Sequence, residues 1–365
     1  MKKIKVLAMY LPQFHRTPEN DRFWGSGYTD WTAVRNAKPV FKGHNQPRVP
    51  LDGYYDLSTK KDIEKQIELA NKYGIYGFGI YHYWFSSSQV FLDTPAKIIR
   101  DQKLPIKYFF SWDNSSWKRS WSNVKFANDW TSIREKRGGP AILAELKYGD
   151  ETEWRKHFNY LLHFFKDSNY IKVNNKPLFG IFNPDNDEET LSKMIKCWNA
   201  WAIEEGFAGI CTLGKIGIHQ TKLCDYQFEY EPAQHGWLGG NCISYFFCRA
   251  RDKIRLKCGL LRKFSYDLVW KSIIKGFKKK ERYWPCCFVR YDDSPRRGKK
   301  GAIVIGESPE KFKKYLKKYI CKCEKSNKDY LLVTAWNEWG EGAYLEPDTE
   351  TSFGYLEAIK SILDE

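Results

Sequence analysis

Short apolar runs recur along the chain, each closing on aromatic or charged residues and most followed by a stretch with helical spacing. The first run, residues 4–10, reads as a strand ending at Leu11-Pro12-Gln13-Phe14-His15. The loop after it carries Trp24, Tyr28, Asp30, Trp31, Phe41, Gly43, His44 and Gln46; it is too long to be a simple connection and too aromatic for disorder, so it is expected to fold over a site. Apolar residues at 63, 67, 69 and 70 predict a helix over 58–73, with Ser58 or Thr59 as N-cap and Gly74 as the stop. Strands are then predicted over 75–84, 104–112, 177–182, 208–213, more weakly 225–231, 285–291, and finally from 331. Helices are predicted over 152–167, 189–204 and 353–363. About eight strands alternating with helical segments predict a single-domain (β/α)8 TIM barrel over 1–365, whose active site lies at the C-terminal strand ends.

The last strand opens into the densest chemistry of the chain, Trp336-Asn337-Glu338-Trp339-Gly340-Glu341-Gly342. Carboxylates three residues apart meet on one side of a helical or tight-turn backbone. Two carboxyls flanking one bond suit acid/base work on an acetal, one protonated beside apolar rings and the other ionised. Trp336 and Trp339 supply apolar surroundings and flat faces for a sugar ring. The alternative is a solvated turn with its tryptophans in the core.

Composition supports a folded globular protein, and its aromatic content tilts the reading towards sugar subsites, although aromatics also fill cores. The 365 residues are 42% hydrophobic and 17% aromatic, with 15 Trp, enough for a full core and for sugar-stacking faces. All ten cysteines lie at or after residue 197 without a Cys-x-x-Cys pair, which disfavours zinc and a disulfide framework. The apolar run at the N-terminus is too short for a signal peptide, and no run approaches a membrane span, so a cytoplasmic protein is expected.

Charge is concentrated in one place. The net charge is +16, and residues 249–282 hold thirteen Lys or Arg against Asp252, Asp267 and Glu281, a net +10. Interleaved apolar residues make 236–284 a basic amphipathic insertion between the sixth and seventh strands, suited to an anionic membrane surface or a lipid-diphosphate substrate, and peripheral at the inner membrane face. A solvated basic helix packed on the barrel is the alternative. Nucleic acid is disfavoured, because the charge is confined to one insertion without a recognition motif. Asp185-Asn186-Asp187 reads as a helix N-cap cluster rather than a metal site, and the glycines of 74–79 do not lead into a phosphate-cradling helix.

Several segments carry a family resemblance: Tyr10-Leu11-Pro12-Gln13-Phe14-His15, Asp30-Trp31, Lys38-Pro39-Val40-Phe41-Lys42-Gly43-His44-Asn45-Gln46-Pro47, Tyr54-Tyr55-Asp56-Leu57, Tyr81-His82-Tyr83-Trp84-Phe85 and the motif of 336–342. Together they resemble the WbsX-like family, whose members are usually described as glycosyltransferases of O-antigen or capsule loci. That family is in turn similar to glycoside hydrolase family 99, the endo-α-mannosidases, through Asn337, Glu338, Trp339 and Glu341. The resemblance implies a (β/α)8 barrel, with Glu338 deprotonating the sugar 2-hydroxyl and Glu341 as acid/base on the leaving oxygen. An epoxide-like intermediate and retained configuration would follow.

The expected enzyme cleaves or transfers glycosidic bonds of a cell-surface polysaccharide or lipid-linked glycan, without metal or other cofactor. Glu338 and Glu341 are the expected catalytic pair. Tyr10, Gln13, His82, Trp84, Trp112, Asp113, Glu231, Asp292, Trp336, Asn337 and Trp339 are expected to bind substrate. A glycosyltransferase using an activated sugar donor and a glycan-binding barrel without turnover are the alternatives.

Overall fold

The computed structural model describes residues 3–118, 142–217, 222–238 and 242–365. Nine parallel strands form a nearly closed barrel: β1 (Lys5–Tyr10), β2 (Ile75–Ser86), β3 (Lys107–Trp112), β4 (Lys176–Ile181), β5 (Cys211–Lys215), β6 (Tyr226–Phe228), β7 (Tyr283–Trp284), β8 (Cys286–Phe288) and β9 (Tyr330–Thr334). Their order is β7-β6-β5-β4-β3-β2-β1-β9-β8. The ninth strand has a local cause. Pro285 lacks the N–H needed to continue a ladder, so the run from Tyr283 to Phe288, which begins two residues before the expected seventh strand over 285–291, divides there. Its first piece pairs with β6 and its second, one residue on, pairs with β9. The strand thus passes from one neighbour to the other and brings the ends of the sheet together.

The helices of eight or more residues are α1 (Lys60–Lys72), α2 (Thr94–Asp101), α3 (Glu151–Phe165), α4 (Glu188–Glu204), α5 (Cys242–Lys257), α6 (Tyr266–Lys275), α7 (Pro309–Glu324) and α8 (Gly354–Leu363). Their starts follow capping chemistry. The Thr59 hydroxyl accepts from the Asp62 amide at 3.2 Å, and the Asp187 carboxylate from the Thr190 amide at 3.1 Å. Asp187 of the Asp185-Asn186-Asp187 cluster is therefore a cap.

Within 236–284, residues 239–241 lie outside the described part, and the two helices behave differently. Helix α6 buries Tyr266, Val269, Trp270 and Ile273, with Trp270 stacked 5.6 Å from Phe288 and 5.8 Å from Tyr315, so it belongs to the layer around the barrel. Helix α5 stands further out. The cysteines whose side chains are described are free thiols. No helix among the described residues is long and apolar enough to cross a membrane.

Barrel strands are buried on both faces, so the side-chain alternation decides what reaches the mouth. On β2, Gly79 faces inward: a Cβ there would lie 2.8 Å from Met9 Sδ and from the Phe109 ring. Tyr81 and Tyr83 share its parity and reach the mouth above it. On β1, Tyr10 faces outward and its hydroxyl donates to Gln66 of α1 at 2.7 Å.

Just past β9, the Asn337 amide clamps the end of β1. Its Oδ1 accepts from the Leu11 amide at 2.7 Å and its Nδ2 donates to the Leu11 carbonyl at 3.0 Å, all buried. Replacing it leaves two buried backbone groups unpaired. Asn337→Ala is expected to lower the unfolding free energy by about 2–4 kcal/mol, read as a lower urea midpoint with an unchanged slope; an unchanged midpoint would show that the clamp is not needed.

Candidate active site

Past the C-terminal end of β9 the chain forms a small hairpin, Asn337–Glu338 paired with Ala343–Tyr344, around a 3-10 turn over Trp339–Glu341. The turn brings Glu338 and Glu341 to the same cavity, as their three-residue spacing leads one to expect. Two glycines permit it. Gly342 is left-handed, with φ 56°, and a Cβ there would lie 2.9 Å from Asp292. At Gly340 a Cβ would come within 2.5 Å of both Arg296 Nε and Asp30 Oδ2, so a side chain would push that ion pair away from the turn.

Arg296, on the short helix Ser294–Arg297 after β8, joins the carboxylates. Its guanidinium reaches Glu341 at 2.9 Å, Asp30 at 3.2 Å and Glu338 at 3.5 Å. Burial acts against the charge of Arg296, but Asp30, Glu341 and Glu338 outweigh it and hold the pKa well above its ordinary value. Glu338 is pushed up, first by burial and then by the charge of Glu341, with Arg296 opposing. Asp293 is raised in the same way, by burial and then by Glu341, with Arg297 and Arg296 opposing. These acids titrate as a set, and Glu338 and Asp293 keep protons well above the ordinary carboxylate range.

The cavity measures ≈ 470 Å³ and opens at the C-terminal strand ends. Gln13, Asp113, Glu338 and Glu341 line it, as does the loop after β1 through Trp24, Tyr28 and Asp30. Across the mouth, Tyr81, Tyr83, Tyr230, Tyr291 and Trp237 supply aromatic walls, and the Tyr81 and Tyr230 hydroxyls lie 3.1 Å apart. Asp113 and Lys215 form a second polar corner: burial raises Asp113 to about 6 and lowers Lys215 to about 8, each opposed by the charge of the other.

Other residues expected at the mouth sit elsewhere, and most miss by one position. His82 and Trp84 point away from the cavity into the layer under α3: His82 Nε2 lies 2.9 Å from His157 Nε2, and Trp84 stacks on His157 at 4.2 Å. Two imidazole nitrogens at that distance need one donor and one acceptor, and burial lowers His82 to about 3, so both rings are neutral. Trp112 donates from Nε1 to the Trp84 carbonyl at 2.9 Å, leaving its neighbour Asp113 at the mouth. Glu231 turns back to His235, while Tyr230 lines the cavity. Asp292 accepts from His44 Nε2 at 2.7 Å and Gln46 Nε2 at 2.6 Å, bonds that tie the loop after β1 to the end of β8; Tyr291 and Asp293 on either side reach the cavity. Tyr10 faces α1, and Leu11 takes the mouth position.

The motif's own aromatic and amide residues are braces. Trp336 is fully buried against Phe78 at 5.3 Å, and Asn337 is the clamp on Leu11. Trp339 stacks on Tyr344 at 3.6 Å and donates from Nε1 to Glu346 at 2.6 Å. Burial raises Glu346 to about 7, although Trp339, Tyr55 and Gln66 all donate to it. Arg296, Asp30, Asp293 and the four tyrosines were not among the expected site residues. The small residues Gly77 and Gly79, at the same strand parity, are the signal that could have found Tyr81 and Tyr83.

A parallel barrel with two carboxylates and aromatic walls at its C-terminal mouth defines a TIM-barrel protein with a candidate active site in the usual place for that fold. The chain belongs to the family described as Glycosyltransferase WbsX, which matches residues 6–359. The protein WxcX of Xanthomonas campestris pv. campestris is 27% identical over 371 residues, covering 98% of this chain and 49% of the relative. The chain thus spans about half the length of the curated relatives it matches. Among solved structures, the GH99 endo-alpha-mannosidase of Bacteroides thetaiotaomicron is similar at a TM-score of 0.57 and 14% identity, covering 100% of this chain and 98% of that one. A glycoside hydrolase-like protein is similar at 0.55 and 15%, covering 100% and 94%. These two structures share the fold.

The raised Glu338 also makes a stability prediction. Its folded pKa lies above the unfolded value of about 4.3, so the proton it binds favours the fold at low pH, and that contribution is lost as pH rises through the folded value. Glu338→Gln does not titrate. Its melting temperature relative to the parent protein is expected to rise as pH increases from about 4 to about 8, between the unfolded and folded values, as followed by thermal unfolding; a gap independent of pH would show that Glu338 is not destabilised by burial.

Proposed function

We propose that the protein cleaves or transfers a glycosidic bond with retention of configuration, in the metabolism of a cell-surface polysaccharide such as O-antigen or capsule. The observation that carries this reading is the pair Glu338 and Glu341, held on one turn, facing one aromatic-walled cavity and sharing the guanidinium of Arg296. Membership of the WbsX family supports the polysaccharide context.

In this reading the reacting form of the enzyme carries Glu338 ionised and Glu341 protonated, and Glu338 removes the proton of the sugar 2-hydroxyl. A hydroxyl is a weak acid, and a carboxylate whose proton affinity is raised by burial is a better base towards it than an ordinary glutamate. The freed oxygen attacks C1 from the face opposite the leaving group while Glu341 protonates the leaving oxygen, giving a 1,2-epoxide. Arg296 stabilises the carboxylate left on Glu341. Glu341 then takes a proton from water or from an acceptor hydroxyl, which opens the epoxide at C1, and Glu338 returns its proton to O2. Two inversions give net retention. The substrate must carry its 2-hydroxyl and leaving group on opposite faces of the ring, and a 2-deoxy analogue would be inert.

The second reading, a transferase with a nucleotide- or lipid-activated donor, is favoured by the family's description. Incubation with purified polysaccharide is expected to release reducing ends, and Glu338→Gln or Glu341→Gln is expected to slow this by about 10²–10⁴-fold. Consumption of a sugar nucleotide only when an acceptor glycan is present would favour the transferase. Glycan binding with neither reaction would make the barrel a binding module.

The raised base predicts the pH profile. The ascending limb of kcat/KM, which reports ionisation of Glu338 in the free enzyme, should lie well above the ordinary carboxylate range. An ascending limb near pH 4 (about the value of an exposed glutamate) would contradict the assignment of Glu338 as base.

A further inference from the structure

Helix α5 presents an outward face that the barrel does not need. Asp252, on its inner side, is buried and pairs with Arg262 at 2.6 Å and Arg251 at 3.2 Å, which fixes how the helix is turned. The opposite side therefore faces outward: Phe247 is 71% and Ile254 62% exposed, with exposed Lys253 and Lys257 around them. Just beyond the helix, Leu260 is 59% exposed.

A groove of ≈ 480 Å³ opens beside that end of the helix, between Leu260 and Leu261 on one hand and Arg255, Lys263 and Lys299 on the other. Aliphatic side chains beside three cations, with no carboxylate in the lining, match an anionic amphiphile: acyl chain against the leucines, phosphate against the charges. The strand Arg262–Ser265, paired with Ala302–Ile305, separates this groove from the active-site cavity. Successive residues of that strand point to opposite sides. Arg262 lines the cavity and Lys263 lines the groove.

We propose that the outward face of α5 and the adjoining cationic groove dock the protein on an anionic lipid bilayer, with the mouth of the barrel held beside the membrane surface. Charge complementarity selects this occupant. From 249 to 257 the helix carries five Lys or Arg and one acid, and that acid, Asp252, is buried against arginines. Exposed aromatic and aliphatic side chains ringed by cations insert shallowly at the headgroup level of anionic lipid. A protein partner of ordinary composition offers no reason for so one-sided a charge. Docking is independent of the chemistry at Glu338 and Glu341, because it is read without any glycan.

Co-sedimentation of the full chain with lipid vesicles tests it. The protein is expected to bind vesicles of phosphatidylcholine containing phosphatidylglycerol, to bind phosphatidylcholine alone much more weakly, and to be released by salt. Two double variants, Lys253→Glu with Lys257→Glu and Phe247→Ser with Ile254→Ser, should each weaken binding by at least about ten-fold while leaving the circular dichroism spectrum and melting temperature unchanged. Failure of the parent protein to bind the anionic vesicles at low salt overturns the proposal, as does undiminished binding by both folded variants. Sedimentation velocity supplies the remaining outcome: a parent dimer that becomes a monomer in Phe247→Ser with Ile254→Ser, without vesicle binding, would assign the face to a second copy of the chain.

Discussion

One guanidinium organises the mouth of this barrel. Arg296 is the cation among Asp30, Glu338 and Glu341, which reach it from the loop after β1 and the turn after β9, with Asp293 close by on its own loop. Without it Asp30, Glu338 and Glu341 would lose the cation that all three contact. Glu341 makes the closest contact with it at 2.9 Å and Glu338 a longer one at 3.5 Å, while burial and the charge of Glu341 raise Glu338 and Asp293. Gly340 matters for the same reason, since any side chain there would displace Arg296 and Asp30.

A shell of buried hydrogen bonds fixes this cluster from behind. Asn337 ties the active turn to the end of β1, Trp339 ties it to Glu346, and Asp292 ties the end of β8 to His44 and Gln46 of the covering loop. Each brace sits next in sequence to a residue at the mouth. A carboxylate aimed at a reacting bond needs its backbone held to a fraction of an ångström, and alternate residues supply that support.

The same alternation explains what could be read before the fold was known. Barrel architecture followed from the repeated apolar runs, and Glu338 and Glu341 from their spacing on a turn. Gln13 and Asp113 lie beyond strand ends and were legible there. Tyr10, His82, Trp84, Trp112, Glu231 and Asp292 were not, although each lies within a residue or two of one that lines the cavity. In a half-exposed strand, polar and apolar residues alternate and reveal which parity faces the core; a parallel barrel strand is buried on both sides and carries no such mark. On β2 the clue is instead size, with Gly77 and Gly79 sharing the inward parity of Tyr81 and Tyr83. Arg296 left no comparable trace, because it becomes a neighbour of Glu341 only when β8 and β9 pair. The division of β7 from β8 is visible afterwards in Pro285 alone.

In the proposed reaction Glu338 addresses a sugar 2-hydroxyl and Glu341 the glycosidic oxygen of the same residue. The most direct test is a crystal structure of the Glu341→Gln protein with an intact oligosaccharide of its polysaccharide. One sugar ring is expected in the cavity, with its 2-hydroxyl hydrogen-bonded to Glu338 and its glycosidic oxygen against residue 341. A glycan bound away from both, or one presenting its C1 to Asp113 and Lys215 instead, would contradict it.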